Sequence, residues 1–122
     1  MLKVHARNFG TVTVLCLQGR IVNGETKTLR KAVHSQSKVS AIVLDLARVS
    51  TIDAGGLGLM LKLREQTESR GIGFKLMNIT KLVSKVLEIT RLDSVFEVTS
   101  EVELWPAISR ARAPVMKFVS CA

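Results

Sequence analysis

The chain has 122 residues, 47% hydrophobic and 23% charged, one domain's worth of globular sequence, which excludes disorder as its main state. Its net charge of +8 is spread along the chain, +5 in the first 60 residues and +3 in the rest, and only four Phe and one Trp could stack on bases, so direct nucleic-acid binding is not expected. No apolar run approaches the roughly 20 residues that cross a bilayer, and MLKVHARNFG lacks the apolar stretch of a signal peptide, so the cytoplasm is the expected compartment.

In chain order, Leu2 to Arg7 is a short strand candidate and Asn8-Phe9-Gly10 the turn of a hairpin. Thr11 to Leu17 follows as a strand apolar on both faces toward its end, closed by Gly19. Asn23 is placed to cap a helix from Gly24 to about Gln36, with Leu29, Ala32 and Val33 inward. Ala41 to Leu46 is a second continuous apolar strand, followed by a short polar connection. A helix then runs from after Asp53 to about Ser69, with Leu57, Met60, Leu61 and Arg64 at helical spacing. Phe74 to Met77 is a third buried strand. Thr80 caps a helix to about Thr90, with Leu82, Val83, Val86 and Leu87 inward, and Val95 to Val98 is a last strand. Ser100-Glu101-Val102-Glu103 is a capping box that opens a terminal helix, which Pro106 should bend or restart. The order β-β-α-β-α-β-α-β-α predicts an α/β fold, a mixed, mostly parallel sheet of about five strands with about four helices. Residues 1–110 form the expected domain; residues 111–122, with apolar Val115, Met116, Phe118 and Val119, form a tail that packs back, is disordered, or makes a homodimer.

Chemistry-bearing groups are sparse. Cys16 and Cys121 have neither disulfide-framework nor metal-ligand spacing and read as a small core residue and a tail thiol; His5 and His34 lack partners at ligand spacing. Gly55, Gly56 and Gly58 form neither a dinucleotide fingerprint nor a P-loop, and Ala54 stands where a nucleophile elbow would place serine. Asp45 and Asp53 lack the further acids that would hold Mg²⁺ beside them, and structural roles are expected, Asp45 bonding loop amides and Asp53 capping a helix. No enzymatic activity, cofactor or metal is expected. The feature that stands out is the strand-to-helix junction Asp53-Ala54-Gly55-Gly56. A helix N-terminus offers unpaired N–H groups, and two glycines leave it open to a neighbouring surface or an anion.

Three stretches carry a family resemblance. VLDLARVSTIDAGGLGLML (43–61) resembles the signature of the STAS family, the fold of bacterial anti-sigma factor antagonists, in which a strand ending in Asp-Leu leads to Asp-Ser-Ser-Gly-Leu-Gly at a helix start. LCLQGRIV (15–22) is similar to the family's second strand and its turn, and LEITRLDSVFEV (87–98) to its third helix, Leu-Asp corner and last strand. The resemblance spans about residues 3 to 108. It implies a protein that docks on an anti-sigma factor, usually a serine kinase, whose phosphorylation of the first serine ends the contact. It also implies contact through Asp53, Ala54, Gly55, Gly56 and Leu57, with Arg20, Ile21 and Asn23 as a second rim. Ala54 and Gly55 stand at the two serine positions and cannot accept phosphate, so the usual switch is expected to be missing; Ser50 and Thr51 lie just upstream. The expected partner is an anti-sigma factor or related kinase or ATPase. The alternatives are an accessory subunit docking on a lipid-transport ABC ATPase, and a nucleotide- or anion-binding domain using the bare helix end.

Overall fold

The computed structural model describes residues 2–100, 102–104 and 106. Five strands form one sheet in the order β1-β2-β3-β4-β5: β1 (Lys3–Phe9), β2 (Val12–Ile21), β3 (Ala41–Ile52), β4 (Gly73–Met77) and β5 (Glu97–Thr99). β1 is antiparallel to β2, and the remaining neighbours are parallel. Three helices make the crossovers: α1 (Lys27–His34), α2 (Ala54–Ser69) and α3 (Lys81–Ile89). Residues 102–104 are helical as well, capped by the Ser100 hydroxyl, which accepts from the Glu103 amide at 3.2 Å. The mixed α/β architecture is the one the element order predicts.

The three crossover helices cover one face of the sheet. Strand residues of alternate parity, including Leu15, Leu17, Ile42, Leu44, Phe74 and Leu76, meet Leu29 and Val33 of α1, Leu57, Met60 and Leu63 of α2, and Val83 and Leu87 of α3 in one apolar cluster. Each such side chain, fully buried, contributes about 1.5–3 kcal/mol. The other face carries a smaller cluster of Phe9, Val12, Val14, Cys16, Val43 and Met77 with Leu104 over it. Cys16 is buried there, the small core residue expected, and it is disulfide-bonded, where the cysteine spacing predicted no bridge. The other cysteine, Cys121, and the expected tail, residues 111–122 with its apolar cluster, lie outside the described residues, as do both neighbours of Pro106, where a bend was expected.

Several boundaries differ from the sequence expectation. β1 continues through Asn8 and Phe9, which pair with Thr13 and Val12, so the hairpin turn is Gly10-Thr11. β3 runs on through the stretch expected to be a polar connection. Its pairing with β2 shifts register twice, between Cys16 and Gln18 and between Gly19 and Arg20, each time leaving one extra residue on β3. The Asp45 carboxylate accepts the Ala47 amide (3.0 Å) at the first bulge, and the Ser50 hydroxyl donates to the Gly19 carbonyl (3.2 Å) at the second. The bulges re-aim the strand so that Val49 and Ile52 both face the helix-side core.

The helices hold smaller surprises. Thr26, not Asn23, stands at the cap position of α1, and its side chain makes no capping bond. The buried stripe of α2 runs through Leu57, Met60, Leu63 and Thr67, with Leu61 and Arg64 half-buried. Leu82, expected inward, is 47% exposed, because Val83 and Leu87 already fill the inner face of the short α3.

Candidate functional site

Parallel strands all end at the same edge of the sheet, so β2 and β3 deliver their carboxyl ends side by side. Ile21 pairs with Ile52 there, and the Asp53 amide donates to the Ile21 carbonyl at 3.3 Å. Asp53 is extended (φ −112°, ψ −179°) and caps α2, its Oδ1 accepting the Gly56 amide at 2.8 Å. The Asn23 amide, thirty residues earlier in the chain, donates to both carboxylate oxygens at 3.1 Å. One carboxylate thus joins the start of α2 to the loop before α1. These amide donors, that of Gly56 foremost and then that of Asn23, hold the Asp53 carboxyl below its ordinary value of 3.8, because each stabilises the charged form.

The glycines at this junction are fixed by close approach. A Cβ on Gly56 would overlap the Ile21 carbonyl oxygen and lie 2.7 Å from its carbon. Only glycine lets α2 start directly against β2. A Cβ on Gly55 would lie 2.7 Å from the Asn23 Cβ, so the loop before α1 approaches this position from one side while it stays exposed on the other.

The structure brings all the expected contact residues together at this corner, with different degrees of access. Asp53, Ala54, Gly55, Asn23 and Arg20 are exposed. Ile21, Gly56 and Leu57 are buried and act as the scaffold on which the turn rests. Arg20 pairs with Glu25 at 2.8 Å, an exposed ion pair that steadies the rim without contributing much stability. Ser50 and Thr51 sit on β3 ahead of the turn, and the Ser50 hydroxyl is engaged with Gly19. Among the described residues no group of three His, Cys, Asp or Glu could hold a metal ion.

Sequence reasoning missed a neighbouring feature. Between α1 and α2 lies a groove of about 550 Å³ lined by Asn23, Lys27, Arg30, Gly55, Leu59 and Lys62, among others. Its basic residues are far apart in sequence, and only the pairing of the two helices assembles them.

A family model for the STAS domain matches residues 3–105. The chain belongs to the STAS domain family. Solved structures agree on the fold. An anti-sigma factor antagonist from Mycobacterium paratuberculosis has a TM-score of 0.71 at 19% identity, with 92% of this chain and 95% of that one covered. The anti-sigma factor antagonist SpoIIAA in its unphosphorylated form has a TM-score of 0.69 at 23% identity, with 93% and 99% covered. The phosphorylated form of the Bacillus protein SpoIIAA has a TM-score of 0.62 at 23% identity, with 92% and 100% covered. The STAS fold is thus shared with anti-sigma factor antagonists along nearly the whole chain. No helix of this STAS domain's described residues is long and apolar enough to cross a membrane.

Proposed function

We propose that this STAS domain is a non-enzymatic docking module of the anti-sigma factor antagonist type. It binds an anti-sigma factor of the serine-kinase kind through the turn Asp53–Gly56 and the rim formed by Arg20 and Asn23, and so regulates transcription. The observation that carries this reading is the exposed, hydroxyl-free start of α2: Ala54 and Gly55 lie open at a helix end held by the Asp53 carboxylate. These positions match the two serines of the family's Asp-Ser-Ser-Gly motif. A phosphate would add about −1.5 to −2 charges beside Asp53 and disrupt a desolvated contact, but neither residue here can receive one. Asn23, packed where a side chain at position 55 would begin, supports the same view. The module is therefore held in its binding-competent form.

Affinity capture with the intact chain, followed by mass spectrometry, tests the reading. Recovery of an anti-sigma kinase supports it, whereas recovery of a transporter ATPase supports the accessory-subunit alternative. Ala54→Glu places a fixed negative charge at the turn and is expected to abolish capture. Undiminished capture by this variant would locate the interface elsewhere.

A further inference from the structure

We infer that the groove between α1 and α2 docks an acidic segment of the partner protein, which deepens the docking reading above and rests on it for the partner's identity. Lys27 and Arg30 of α1 and Lys62 of α2 line the groove, all three exposed, and no carboxylate lines it. Among the described residues none of these three cations is held in an ion pair, whereas Arg20, Arg64 and Lys75 are paired with Glu25, Glu68 and Glu97. Their charge is left facing the groove and is available to a ligand.

The layout fits a chain of carboxylates better than a single compact anion. The lining runs from Asn23 and Gly55 at the α2 start to His34 and Gln66 at the far end, where the His34 ring nitrogen and the Gln66 side-chain oxygen lie 2.9 Å apart. From Lys27 to His34 the groove follows about two turns of α1, roughly 10 Å, the span of about three extended residues. Lys27 and Arg30 stand one turn apart on α1, about 4.5 Å along its axis, Lys62 lines the groove from α2, and Leu59 adds an apolar contact on that side. Gly55 belongs to both the groove and the docking turn, so a partner seated on the turn would reach the groove without a break. Opposite charges placed in this way chiefly raise the association rate and fix the orientation of docking.

The probe is a fluorescein-labelled hexaglutamate peptide, titrated into the intact protein by anisotropy and by amide chemical shifts at low salt. Shifts are expected at Gly55, Leu59, Lys62, Lys27 and Arg30, with affinity falling steeply as salt is added. The triple variant K27E/R30E/K62E should weaken binding about tenfold or more, with its far-UV circular dichroism and amide dispersion unchanged. Shifts spread evenly over other basic residues such as Lys38, Lys81 and Lys85 would overturn the proposal. So would saturation of the groove by inorganic tripolyphosphate at lower concentration than by the peptide, which would make it a small-anion site. Because no anti-sigma factor enters this titration, its failure leaves the docking turn untouched, and failure of partner capture leaves the groove standing.

Discussion

At Gly56 a single missing carbon decides the geometry of the corner. The start of α2 rests directly on the Ile21 carbonyl. Gly56→Ala must push helix and strand apart, at a cost of about 1–3 kcal/mol or more, read as a lower urea midpoint at unchanged m-value. Asp53 carries the electrostatic part. Its folded-state pKa lies below the ordinary 3.8, so its carboxylate contributes stability above that value and loses it as pH falls through the folded pKa. Asp53→Asn should therefore be less stable than wild type at neutral pH, and acid titration of the denaturant midpoint should show the difference closing below the ordinary carboxylate range. A constant difference across that range would show that Asp53 acts only as an uncharged cap. The capping role was legible from Asp-Ala-Gly-Gly. The bond from the Asn23 amide was not, since no local pattern links residues thirty apart.

Among the elements, the ends of α2 and α3 make a controlled comparison. Both finish with the same pair of backbone bonds: Gly71 and Ile72 donate to Glu68 and Thr67, and Arg91 and Leu92 donate to Glu88 and Leu87. Both C′ residues have positive φ, +76° at Gly71 and +60° at Arg91. A side chain in that conformation is strained, so Arg91→Gly should raise stability by about 0.5–1 kcal/mol, after the larger unfolded-state entropy of glycine is set against the relief. Thermal unfolding of the two proteins checks it. Strands and helices were placed by their periodicity, whereas their ends followed tertiary contacts. β3 gained a polar second half because two bulges, closed by Asp45 and Ser50, keep it paired to β2. Asn23 looked like a cap in sequence, but its amide is spent on Asp53 and α1 starts four residues later, at Lys27.

For the molecule as a whole, alternation of strands and helices was enough to predict a mixed sheet, and the motif around Asp53 was enough to single out one corner of it. The sheet order places that corner at the carboxyl ends of β2 and β3, beside the loop into α1. The basic groove was illegible because the charge in sequence is evenly scattered; only the packing of α1 beside α2 gathers Lys27, Arg30 and Lys62. The chain is a STAS domain, and on the proposed reading it docks through this corner, with Ala54 and Gly55 standing where the resembled motif carries its two serines. The most direct test of the proposal incubates the protein with ATP and an anti-sigma kinase recovered by affinity capture, then measures complex stability and phosphate incorporation together. Wild type should take up no phosphate at residues 50–58 and keep its complex, while Ala54→Ser should gain one phosphate and release the kinase. Phosphorylation of the wild-type protein within that segment, with loss of the complex, would contradict the account.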